Sequence, residues 1–387
     1  MNRTCDNCGG RIRYDIKSGK LKCDSCSSSF YIKEIQSNEE TETEMDCDIY
    51  TCSTCGADLV INNTESSTFC PFCGNATVVM SRVQKLKRPE VIIPFEITAE
   101  EAAERIKRTF DKGMFIPDVV HPKPEDLRGI YIPYHVTNVE FDGSMWFDMK
   151  NHGKGYNGYP YIRSGFCSAR WVTTDASKRL NDTFSQKLEP YFFDSFKTFD
   201  ENYLLGFYSD IADVNEDDAI ALARTRVMNM AHEKFVNSLP DVRFNPDAYN
   251  TDRRFITEVY DKPVTAMLPA WFYTYTFEGV PYTIAVNGQT GQVSGGVPWE
   301  KKKFITYTAI LSVIIGTLLF LPVAFIDFDY IGRIMLALAP QIVVILVMFG
   351  LVIYRFGGYK AFTDAIKLKN IASANSLTNF VNKRQGD

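Results

Sequence analysis

Eight of the ten cysteines fall into two identically spaced quartets, and four thiols at such spacing can close a tetrahedral metal site. Cys5-x2-Cys8 is followed, after 14 residues, by Cys23-x2-Cys26, and Cys52-x2-Cys55 is followed, again after 14, by Cys70-x2-Cys73. The whole pattern recurs at an offset of 47, an internal repeat. A Cys-x2-Cys knuckle brings two thiolates to one ion from a single tight turn. Two knuckles on adjacent hairpins then complete the shell at Zn–S distances of ~2.3 Å. Gly9, Gly56 and Gly74 follow Cys8, Cys55 and Cys73, where a knuckle needs a permissive backbone, whereas Ser27 follows Cys26. Four protein ligands leave no position for water, so the quartets predict two structural Zn2+ sites, with rubredoxin-like iron as the minor competitor. A disulfide framework is the competing reading. It is disfavoured because the opening MNRTCDNCGG lacks the apolar stretch of a secretory signal, so reduced thiols are expected. Cys47 and Cys167 stand outside the quartets with no histidine near them in sequence, and read as plain thiols.

Other chemistry-bearing patterns fail on context. Gly153, Gly155 and Gly158 fit G-x-G-x-x-G, but a strand-like YPYIRSGF follows them instead of a helix, so a glycine-rich loop is the better reading. His232-Glu233 has no second histidine at zincin spacing, and His121, His135 and His152 are scattered. No P-loop and no nucleophile elbow occur, so no enzyme is expected, and no catalytic or cofactor-binding residue beyond the zinc ligands.

The elements that must position the thiols follow from composition and periodicity. A ribbon of about 35 residues cannot bury a sufficient core, and structural zinc can supply the missing stability, roughly 10–16 kcal/mol per site. The expected plan is a first ribbon (1–35), an acidic linker (36–48), a second ribbon (49–80) and a basic linker (81–90). A cytoplasmic α+β domain would occupy 91–298. Within it, residues 99–112 place Ala102, Ala103, Ile106 and Phe110 on one helical face. A second helix is expected over about 215–236. The aromatic, β-branched runs IYIPYHVTNVEF, FCSARWV, ITEVYDKPV, AWFYTYTF and YTIAVN read as strands, the last two joined through Glu278-Gly279.

Segregated hydropathy adds a further expectation. Residues 304–326 and 334–354 carry no charge over 23 and 21 positions. As helices they would reach about 34 and 32 Å, enough for a hydrocarbon core of ~30 Å. Lys301 to Lys303 precede the first run, and Arg355, Lys360, Lys367 and Lys369 follow the second. The positive-inside bias then predicts an inner-membrane protein with two spans and both termini cytoplasmic, followed by a cytoplasmic tail at 355–387. The full expected fold class is multidomain: two small β zinc ribbons, a cytoplasmic α+β domain and a C-terminal two-helix transmembrane hairpin.

The doubled ribbon with CPFCG at 70–74, VIIPFEIT at 91–98, GIYIPYHV at 129–136 and VNGQTGQVSGGVP at 286–298 together resemble a bacterial family of TFIIB-type zinc-ribbon-containing membrane proteins. The likeness covers nearly the whole chain, with His135 standing where a Trp is expected. Some members lie beside phage-shock-like and flotillin-like membrane proteins. The resemblance therefore implies such membrane-associated partners, with the bilayer itself as a contact and homo-oligomers allowed. The leading expectation is a non-enzymatic, membrane-anchored zinc-ribbon scaffold that presents docking surfaces. The alternatives are a membrane-tethered nucleic-acid binder and an unrecognised enzyme in the middle domain. Nucleic acid is disfavoured by the net charge of -5 and by a second ribbon without Lys or Arg between 47 and 80. The basic run Arg82, Lys85, Lys87 and Arg88 is the feature that favours it.

Overall fold

A computed structural model describes residues 4–32, 43–61, 70–72, 78–110, 115–147, 161–178, 182–239, 254–259, 262–298 and 300, with scattered positions between 302 and 350. The chain opens with a three-stranded antiparallel sheet, β1 (Ile12–Asp15), β2 (Lys20–Cys23) and β3 (Ser29–Phe30). The second ribbon supplies β4 (Glu44–Cys52), β5 (Asp58–Ile61) and β6 (Val78–Lys87). Then follow β7 (Val91–Ile92), α1 (Ala99–Phe110), β8 (Arg128–Phe147), β9 (Tyr161–Asp175), α2 (Asp182–Leu188), β10 (Lys197–Thr198) and β11 (Tyr208–Ser209). The remaining elements are α3 (Glu216–Asn237), β12 (Arg254–Val259), β13 (Val264–Phe277), β14 (Val280–Asn287) and β15 (Val293–Gly295).

The local chemistry explains the two long helices. Thr98 and Glu101 form a reciprocal capping box at the start of α1: the Thr98 amide donates to Glu101 (2.9 Å) and the Glu101 amide to Thr98 Oγ1 (3.3 Å). Ala102, Ala103 and Ile106 form its buried stripe. Asn215 caps α3 by accepting the Asp218 amide at 2.7 Å, and Ala219, Ala223, Val227 and Ala231 form a narrow buried seam. Glu278 and Gly279 both take positive φ (49° and 77°), the two-residue turn that joins β13 to β14.

β8 is the strand on which the rest hangs. Arg128 to Val136 pair with β13 on one edge, and β12 continues that edge opposite Val139 to Ser144. The other edge pairs with β11 at Ile130 and Tyr131 and with β9 from Tyr134 onward. β11 then carries β5, and β5 carries β4 and β6, so the second ribbon belongs to the same 12-stranded sheet as the middle of the chain. Three of the phrases noted in the sequence converge on Phe95. Its ring stacks on Phe207 (4.3 Å between centroids) and meets Tyr131 and Trp271, while a Cβ on Gly288 would clash with it at 2.6 Å.

Several expectations need correction. The described residues are mostly β-sheet, and among them no helix is long and apolar enough to cross a membrane. The expected transmembrane hairpin over 304–326 and 334–354 is withdrawn on that finding, and with it the two-span inner-membrane placement. Much of both segments, and all of 355–387, lies outside the described residues. The physical reason is that an uncharged run is necessary for a span but does not establish one. The described helix of comparable length, α3, is studded with charges and packs on the sheet through its alanine seam. The glycine-rich positions 153–158 also lie outside the described residues.

The two charged linkers are not simple spacers either. Residues 44–52 are β4 and residues 78–87 are β6, paired antiparallel so that Glu44 faces Lys87 and Asp46 faces Lys85. Opposite charges placed across a strand pair read as linkers in sequence because each was judged without its partner. Immediately after β6, Arg88 reaches Glu201 at 3.2 Å with both side chains nearly buried (11% and 6% exposed). Replacing Arg88 with Ala leaves the Glu201 carboxylate buried and uncompensated. Urea unfolding should show a loss of about 3–5 kcal/mol. The exposed pair Arg108–Glu104, broken by Arg108→Ala, should cost under about 1 kcal/mol.

Candidate metal centres

The first centre gathers Cys5 and Cys8 from the opening knuckle with Cys23 and Cys26 from the end of β2 and the turn after it. Cys5 and Cys23 are buried and Cys8 and Cys26 are exposed. Their sulfurs lie within 4.8 Å of one another, with Cys5–Cys26 at 3.6 Å and Cys8–Cys23 at 3.5 Å. Four thiolates at tetrahedral positions around one Zn2+ are separated by ~3.8 Å, so this quartet fits the ion. The backbone completes the knuckles. The Gly10 amide donates to Cys8 Sγ and the Ser25 amide to Cys23 Sγ, both at 3.4 Å. Gly9 takes φ 71°, and Ser27 takes φ 59° at the equivalent place in the other knuckle. Ser28 lies against Cys26, its Oγ 3.2 Å from the sulfur, and its hydrogen bonds hold that thiol down to about 6. A thiolate is the ligating form, so this tuning favours metal.

The second centre brings together Cys52 at the end of β4, Cys55 and Cys70, with Cys55 and Cys70 sulfurs 3.6 Å apart. Gly56 (φ 67°) repeats the turn of Gly9. Cys73, the expected fourth ligand, lies outside the described residues. Both clusters are structural zinc sites: thiol-only donor sets, anchored by buried cysteines at the ends of strands. Cys47 is buried within β4, and burial pushes its thiol up to about 12, so it stays protonated and inert. Cys167 sits in β9, paired opposite Phe141.

The ribbons are built into the body by contacts that sequence spacing does not reveal. Tyr14 of β1 donates its amide to the Leu205 carbonyl (2.9 Å), and its ring meets Tyr203 edge-on at 5.3 Å. Cys5, Ile12, Leu21 and Cys23 share one apolar cluster with Leu204, Leu205 and Phe207. At the second centre, Phe72 packs edge-on against Phe272 (5.8 Å), and Thr274 donates to the Pro71 carbonyl (3.0 Å). Cys52 and Cys70 share their cluster with Ile130, Ile132 and Leu268.

A cleft of about 560 Å³ lies between α2 and α3 over the end of β9. Arg226 and Glu189 close its floor as a bidentate pair, with Nη1–Oε1 at 2.7 Å, and Nη1 also donates to the Thr173 carbonyl at 2.7 Å. Tyr134 lines the cleft, and its burial raises the phenol well above its usual pKa. No histidine or cysteine is among the described lining residues. His135 points elsewhere, its Nε2 3.0 Å from the Val214 carbonyl, and His121 lies beside its own turn.

Elemental analysis of purified protein should find two zinc ions per chain. Replacing Cys23 and Cys26 together with Ser should leave one. A strong chelator should lower the unfolding midpoint, because each structural site contributes several kcal/mol to folding.

Comparison with known proteins agrees with the geometry of the second centre. Residues 48–79 match a family model described as a zinc ribbon domain. Over 315 residues the chain is 24% identical to the uncharacterized protein YdjG of Bacillus subtilis (strain 168), covering 77% of this chain and 90% of that protein. No solved structure matches. The chain is a zinc-ribbon-containing protein with two structural zinc sites.

Proposed function

We propose that this protein is a non-enzymatic zinc-ribbon scaffold that presents a docking surface to a partner protein. The observation that carries the proposal is an exposed aromatic ledge beside β9. Asn138 of β8 opposes both Arg170 and Trp171, a bulge that turns Trp171 out of the sheet. Trp171 takes φ 59°, a conformation that costs a bulky residue roughly 1–3 kcal/mol. Its amide is held by Asn138 Oδ1 at 3.0 Å. The ring stays 46% exposed while stacking on Phe193 (5.8 Å) and touching Phe196 (5.7 Å). Phe192 beside it is 60% exposed. Strain spent on holding an indole in water, on a rigid strand and next to further aromatic rings, suits a contact site.

The zinc centres fit the same role. Saturated by protein thiols, they offer no open coordination position for substrate, and serve to hold surfaces in place. The likeness to TFIIB-type ribbon proteins favours recognition over catalysis. The nucleic-acid reading loses its main support. Arg82 pairs with Asp58 (3.2 Å), Lys87 with Glu216 (2.6 Å) and Arg88 with Glu201, while Lys85 faces Asp46 across the strand pair. Phosphates would have to displace those carboxylates.

The test is Trp171→Gly. Glycine accepts the positive φ, so stability should change by no more than about 1 kcal/mol and zinc content not at all. A stoichiometric protein partner that co-purifies with the wild type after nuclease treatment should be lost at least tenfold from the variant. Equal recovery from both, or recovery of nucleic acid in place of protein, contradicts the proposal.

A further inference from the structure

The geometry points to energetic coupling between the two zinc centres through residues 199–209, so that losing the ion at one centre weakens the hold on the other. One short segment touches both ribbons in turn. At its start the Phe199 amide donates to the Glu90 carbonyl (3.1 Å), and the Arg88 guanidinium lies over the Phe199 ring at 5.4 Å. Glu201 then receives Arg88, whose own amide donates to the Thr43 carbonyl (2.9 Å) at the head of β4. Glu201, Asn202, Tyr203 and Leu204 form a single buried 3-10 turn, started by Asp200 accepting the Asn202 amide at 2.9 Å.

The middle of the segment belongs to the first ribbon. Tyr203 and Leu205 hold Tyr14, and Gly206 (φ 97°) lets the chains approach so closely that a Cβ there would sit 3.0 Å from Arg13 Cβ. Two residues later the segment becomes β11, where Tyr208 and Ser209 pair with Ile61 and Val60 of the second ribbon. The far side of β11 is fixed on β8.

A ribbon that loses its zinc loses its fold, which makes each ribbon a two-state element of the kind that coupling requires. Unfolding the first ribbon removes Tyr14 from Tyr203 and Leu205. That frees the turn whose far end sets the β11–β5 register and whose near end buries Arg88 against β4 and β6. Unfolding the second ribbon removes β5 from β11 and loosens the same turn from the other side. Each effect is the thermodynamic mirror of the other, so the two coupling factors must be equal.

The experiment uses the full chain. Zinc affinity at each centre is measured by competition with a colorimetric chelator in the wild type, in Cys52→Ser/Cys55→Ser and in Cys23→Ser/Cys26→Ser. The remaining centre should bind at least about fivefold more weakly in each double variant, by the same factor in both. Tyr203→Ala, which keeps all the cysteines, should still bind two ions but show a coupling factor near one. Titration of zinc into chelator-stripped wild type tests the claim even if a cysteine variant fails to fold. It should show positive cooperativity between the two ions. Two independent binding steps, or coupling undiminished in Tyr203→Ala, would overturn the inference.

Discussion

A ribbon of some thirty residues has too little apolar surface to fold alone, and this shortage shapes the rest of the structure. Each ribbon meets it in two ways. Four thiols close on one ion, and the buried cysteines and their strands pack into an apolar cluster shared with the body. At the first centre the shared cluster is reached through Tyr14 and Leu205, at the second through Phe72 and Phe272. Metal ligation and core packing therefore act on the same residues. Cys5, Cys23, Cys52 and Cys70 are at once ligands and members of the core.

The sheet carries this arrangement outward. β8 pairs on both edges along its length, which brings β13, β9, β11 and β12 into fixed register with one another. The two-residue strand β11 is a narrow bridge, yet it is what joins the second ribbon to β8. Phe95 shows why the neighbourhood of that bridge tolerates little change. Gly129 and Gly288 leave room for rings that any side chain would displace, with Phe207 2.5 Å from a Cβ at Gly129. Asn287 completes the corner, donating to the Leu188 carbonyl (2.8 Å) while accepting the Gln289 and Thr290 amides.

The zinc sites were legible in the sequence because ligand chemistry imposes a spacing that survives without any knowledge of the fold. Both long helices were legible for a similar reason: a cap, acids in the first turn and an apolar stripe are all local. The hairpin at Glu278-Gly279 was announced by its own turn residues. What failed was non-local. EETETEMDCD and Arg82 to Arg88 looked like two solvated linkers, although Glu44 and Asp46 of one face Lys87 and Lys85 of the other. The uncharged runs at 304–326 and 334–354 looked like spans because hydropathy alone was scored. Trp171 carries no sequence signal for its exposure. Its environment depends on a bulge between strands and on Phe193 and Phe196, more than twenty residues away in sequence.

The account stands on the two zinc ribbons being parts of one cooperative body and not appendages. Hydrogen exchange followed by mass spectrometry, on the full chain before and after zinc removal, tests this most directly. The account predicts that deprotection spreads from 4–32 and 48–72 into 199–209 and into β8 around Ile130 to Ile132, while α3 against the far half of β8 remains slow. Deprotection confined to the two ribbons, with 199–209 and Ile130 to Ile132 exchanging as before, would contradict it.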